Sequence, residues 1–87
     1  MNILSQDNKI LVNYNNVASL CIQKKYMSYS HPDTWWEIWA IYPAVSEDVI
    51  YDVLAKFDDE KECMTIFAKM VSLICEEKVN FIRISDL

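Results

Sequence analysis

Apolar residues recur at helical spacing in one sustained stretch, Asp58 to Lys78. Cys63, Ile66, Phe67, Met70, Val71 and Ile74 step by 3, 1, 3, 1 and 3. That spacing draws one stripe along an amphipathic helix, with lysines and glutamates over much of the remaining surface. Asp59 stands where an N-cap belongs. Its carboxylate is placed to accept from the amide of Glu62, and Glu62 to return the bond, as in an aspartate version of the capping box. Phe67 and Met70 centre the stripe and are expected in the core.

The rest of the chain reads as strands. Residues 3–6 and 9–13 suggest two short ones joined by a tight turn at Asp7-Asn8, because both residues tolerate the positive φ of a primed hairpin turn. The chain has 0 glycines, so Asn and Asp are expected at every left-handed position, and Asn13, Asn15 and Asn16 mark the next turn. From Val17 to Tyr29, Ala18, Leu20 and Ile22 alternate with Ser19, Cys21 and Gln23, the period of a half-buried strand. Pro32 breaks a loop over 28–33. Thr34 to Tyr42, rich in tryptophan, isoleucine and tyrosine, is a strand by propensity. Pro43 ends it, and residues 44–47 turn. Residues 49–57 alternate again. Ser46-Glu47-Asp48 can cap a helix over 47–56, but Val49, Ile50, Tyr51 and Val53 are poor helix formers, which favours strand. Val79 to Ile84 supplies a last short strand. The expected fold is α+β: one domain over 1–87, an antiparallel sheet of about five to six strands, and one C-terminal amphipathic helix packed on one face.

Size and charge narrow the function classes. An 87-residue chain holds one core and buries only about 60 % of its unfolded surface, so stability is marginal unless a partner adds burial. A hydrophobic content of 53 % argues against disorder. No run reaches the roughly 18 apolar residues of a membrane span and no basic-then-apolar leader opens the chain, so a cytoplasmic protein is expected. Residues 1–46 are neutral, with 3 acids and 3 bases, while residues 47–87 carry 10 acids against 5 bases and hold the whole net charge of −5. That balance, with Arg83 the lone arginine, disfavours nucleic acid and anionic membrane as ligands. Cys21, Cys63 and Cys75 form no metal-ligand spacing and have no spaced histidine, so they read as buried free thiols.

The opening Ile3-Leu4-Ser5-Gln6-Asp7, followed by Ile10-Leu11-Val12-Asn13, resembles a group of short proteins, mostly of unassigned role, found in Gram-positive bacteria and their phages. The likeness continues where the strand ending at Phe57 runs into the acidic start Asp59-Glu60-Lys61-Glu62. It covers most of the chain as a pattern, but only the first thirteen residues match as a motif. The resemblance implies an antiparallel sheet with one packed helix. It carries no activity and no functional residues. The loop after Tyr29 and the Trp-rich strand depart from it.

Candidates for chemistry are few. His31 with Asp33 has the residue types of a general base and its orienter, but two residues apart beside Pro32 they suit a turn better. Ser30 beside His31 lacks the geometry of a triad. Asp58, Asp59, Glu60 and Glu62 lack the spacing and the glycine of a calcium loop, and sit where a helix dipole favours anions. No catalytic residue, metal or cofactor is expected. The Trp-rich strand exceeds a purely structural explanation, because Trp36, Ile38, Ala40 and Tyr42 mark one face and Trp35, Glu37, Trp39 and Ile41 the other. A half-buried strand should show one apolar face; this one shows two. Either the 28–33 loop or the C-terminal strand folds over the second face, or that face is an interface. The expected function is therefore a non-enzymatic interaction module, homodimeric or bound to another protein through Trp35, Trp39 and Ile41. The alternative is an acidic, phage-borne inhibitor presenting Glu60 and Glu62 to a basic host protein.

Overall fold

The computed structural model describes residues 1–27, 33–44, 47–77 and 79–87. Six strands and one long helix follow in the order β1 (Asn2–Leu4), β2 (Leu11–Asn13), β3 (Ser19–Tyr26), β4 (Thr34–Ile41), β5 (Tyr51–Phe57), α1 (Glu60–Glu76) and β6 (Phe81–Arg83). The α+β class and the C-terminal helix match the expectation. The single sheet does not: the strands form two three-stranded sheets, ordered β2-β1-β6 and β3-β4-β5. A 3-10 turn over Tyr14–Asn16 separates them, with the Asn13 side chain accepting from the Asn15 amide. That turn carries the chain out of β2 and into β3 before the two can pair. In the small sheet β1 pairs antiparallel with β2 and parallel with β6, Ile3 facing Val12 on one side and Ile82 on the other.

Gln6 joins the sheets at the edge of β5. Its amide donates to the Leu54 carbonyl at 2.8 Å, and its side-chain oxygen accepts from the Lys56 amide at 3.0 Å. The neighbouring loop is wider than the expected two-residue turn. Buried Ser5 donates its hydroxyl to Asp7 at 2.6 Å and accepts from the Ile10 amide at 3.0 Å. Asn8, at φ 62°, closes a turn onto the Ser5 carbonyl. The hydroxyl of Ser5 and the Lys9 amide hold the Asp7 carboxyl below its ordinary value of 3.8. The second left-handed residue is Glu77, at φ 55°, which caps α1 without being the expected Asn or Asp.

Strand won over helix beyond Glu47, but regular pairing starts at Tyr51 and the alternation is broken. A bulge between Ile38 and Trp39 of β4 leaves Leu54 as the extra residue of β5, so Leu54 and Ala55 are both buried. The strand expected over 17–29 spans Ser19–Tyr26. Its last residues, with the 28–32 loop, Val45, Ser46 and Lys78, lie outside the described residues.

Asp59 caps α1, but its carboxylate accepts from the Lys61 amide at 3.3 Å rather than from Glu62. Both amides lack a partner within the helix, and the observed extended Asp59 backbone meets the nearer one. Cys63 and Met70 are fully buried, Phe67 is half-buried against the same core, and Val71 is 39 % exposed while Leu73 packs instead. Val71 lies one helical step, about 100°, past Met70 and falls on the rim. One core unites Ile3, Val12 and Ile82 of the small sheet, Ile38, Ala40, Leu54 and Phe57 of the large one, and α1. Among the described residues no helix is long and apolar enough to cross a membrane.

Three outcomes test this architecture. Met70→Ala should lower unfolding free energy by about 2–5 kcal/mol, and Phe67→Ala by less than the about 3–5 kcal/mol of a fully buried phenylalanine. Unchanged urea midpoints in both would refute the packing of α1 on the sheet. Asp59→Ala should cost about 1 kcal/mol through the lost cap, read in the same titration. A depressed carboxyl pKa contributes stability that is present above the unfolded value and lost as pH falls through the folded one. The deficit of Asp7→Ala should therefore be full at neutral pH and close below pH 3.8; a deficit that persists in acid would sink the Ser5–Asp7 account.

Candidate partner-binding face

The helix covers one side of the β3-β4-β5 sheet, the side bearing Ile38 and Ala40. Alternation along β4 places Trp35, Glu37, Trp39 and Ile41 on the other side. Register extends this outer face sideways in rows. Lys25 lies beside Trp35; Gln23, Glu37 and Lys56 form the next row; Cys21, Trp39 and Val53 the next; and Ser19, Ile41 and Tyr51 the last. Trp35, Trp39, Ile41, Tyr51 and Val53 take no part in the core cluster.

Glu37 organises the face. Its two carboxylate oxygens accept the indole N–H of Trp35 and of Trp39, each at 2.8 Å. Both tryptophans are thereby pinned with their polar edges satisfied. Lys56 Nζ lies 4.7 Å from the Trp35 ring centroid and Lys25 Nζ 5.2 Å from that of Trp39. Tyr51 stacks on Trp39, centroids 3.8 Å apart and planes 8° from parallel. Each cation–π contact at such an exposed site contributes about 0.5–1 kcal/mol. The half-burial of the tryptophans thus comes in large part from neighbours on their own face. Val49 and Ile50, just before β5, are exposed as well.

Of the residues expected to bind a partner, Trp35, Trp39 and Ile41 share this face. Glu60 and Glu62 do not join them; they are exposed on the first turn of α1, which packs against the opposite side of the sheet. The C-terminal strand, one candidate cover for the outer face, pairs with β1 instead. The other candidate, the loop with Ser30 and His31, lies outside the described residues. Lys25, Lys56 and Tyr51 were missed by reading β4 alone. Their signal is the cross-strand register, which for Lys56 and Tyr51 on β5 also needs the position of the bulge.

Two other groups bear on chemistry. Tyr42 donates to Asp52 at 2.6 Å, and burial first, then this bond, pushes the phenol up to about 12. It keeps its proton at neutral pH and serves as a hydrogen-bond donor. Burial, with Glu60 nearby, raises the Cys63 thiol, which disfavours the nucleophilic thiolate. No family model matches the chain, and neither a curated protein nor a solved structure matches it.

Proposed function

We propose that the protein is a non-enzymatic interaction module that self-associates through its outer sheet face. The observation that carries this reading is the plate of Trp35, Trp39, Tyr51, Ile41 and Val53 lying outside the core. Tryptophan and tyrosine held rigid are the side chains that anchor interfaces, because they bury large area with little rotamer freedom left to lose. Strands of 8 residues in β3 and β4 span about 26 Å, and three strands about 15 Å. Two such faces together approach the about 1,000 Å² that a specific interface needs.

A second reading rests on the exposed carboxylates of Asp58, Asp59, Glu60 and Glu62 at the start of α1. They form an acidic end that fits a basic partner, as an inhibitor of a nucleic-acid-binding or defence protein would require. Lys61 and Lys69 interrupt its field, which ranks it second. Capture that depends on Glu60 and Glu62 and vanishes with added salt would put it first.

Size-exclusion chromatography with light scattering at micromolar concentration tests the first reading. Trp39→Lys should halve the mass of the assembly, because the new charge must be desolvated in the contact. Glu37 beside it keeps the substitution tolerable in the separate subunit. A weakening of at least about tenfold, ~1.4 kcal/mol, is expected. A folded Trp39→Lys protein with the parent's mass would overturn the reading.

A further inference from the structure

We infer that the free edge of β3 pairs with β3 of a second copy, antiparallel about a two-fold axis, making one continuous six-stranded sheet. This contact is separate from the outer-face contact proposed above. The Met27 amide donates to the Asp33 carbonyl, and Tyr26 is in register with Thr34. Because antiparallel ladders alternate, the odd-numbered residues of β3 bond to β4. The amides and carbonyls of Leu20, Ile22, Lys24 and Tyr26 then point away from the sheet. Among the described residues no backbone hydrogen bond outside the β3-β4 ladder reaches those four amides. Unpaired groups along an eight-residue edge are a template for another strand.

A second copy is the occupant the edge selects. Lys24 and Lys25 stand near one end of β3, so parallel pairing near register would set lysines beside lysines, which is destabilising. An antiparallel dyad through Ile22 separates them. Lys24 then lies opposite Leu20, Lys25 opposite Ser19, and Cys21 opposite Gln23. The pairing also stops at two copies, because Gln6 occupies the edge of β5 at Leu54 and Lys56. Among the described residues each copy thus offers one long free edge, so the assembly closes instead of growing into a fibre. Both tryptophan plates fall on the same side of the joined sheet.

Lys24→Pro tests the edge. Proline is tolerated on an edge strand where the lost N–H faces outward, so the variant should keep the parent's circular dichroism while its mass by light scattering halves. With both contacts present the parent is a tetramer, Lys24→Pro and Trp39→Lys are dimers, and the double variant is a monomer. If only the outer face associates, the parent is a dimer that Lys24→Pro leaves intact. If only the edge associates, the parent is a dimer that Trp39→Lys leaves intact. Should Lys24→Pro unfold, a Gln23→Cys, Cys75→Ser variant decides. Its residue-23 thiol faces Cys21 of the second copy across a non-hydrogen-bonded pair close enough for a disulfide. Diamide should then yield a covalent dimer on a non-reducing gel. A folded Lys24→Pro protein of parental mass, or no cross-link where that variant unfolds, overturns the inference.

Discussion

The central strand β4 carries large apolar side chains on both faces, while the described residues provide one long helix to cover them. Everything else in the structure adjusts to that mismatch. The face bearing Ile38 and Ala40 takes α1 and the small sheet and becomes the core. The face bearing Trp35 and Trp39 keeps its aromatic rings, and Glu37 between them satisfies both indole N–H groups. A carboxylate in the middle of an apolar face would ordinarily oppose burial. Here it is the acceptor that pins two tryptophans and leaves neither indole N–H unmet.

The bulge opposite Ile38 and Trp39 is the second constraint, because it decides which residues of β5 reach which face. Without it, Val49, Tyr51, Val53, Ala55 and Phe57 would share one side, as their alternation suggests. With Leu54 inserted, Tyr51 and Val53 stay on the outer face while Ala55 and Phe57 turn to the core. Tyr51 thereby comes onto Trp39 and Lys56 onto Trp35. The Leu54 carbonyl is met by Gln6, so the irregularity that shapes the face also ties the two sheets together.

What could be read from the sequence follows from how local each feature is. The helix, its Asp59 cap and the β4 alternation depend on neighbours a few residues apart, and they survive folding. Trp35, Trp39 and Ile41 were legible as one face for that reason. The division into two sheets was not legible, since it rests on Ile3 meeting Ile82 across nearly the whole chain. Lys25 and Lys56 were hidden likewise, because cross-strand neighbours are fixed only once register is known. Glu77 defied the expectation that Asn or Asp fills left-handed positions. The helix must end, no glycine is present, and the residue at that point takes the strained conformation.

The polar row of Gln23, Glu37 and Lys56 gives the outer face a direction that a uniform apolar patch lacks. It divides the aromatic end around Trp39, Ile41 and Tyr51 from the end bearing Trp35 and Lys25. A partner that slides along the strands must desolvate charges without meeting their complements, at several kcal/mol for an unpaired buried ion. In the proposed self-association, electrostatics would therefore separate the registers while apolar contact supplied the attraction. The tryptophan rings of this face already have a cation near them and a carboxylate at their edge. An unselective sticky surface would leave those rings bare. An interface proposed on this face would accept few geometries, because its charges and ring edges would have to be met in register.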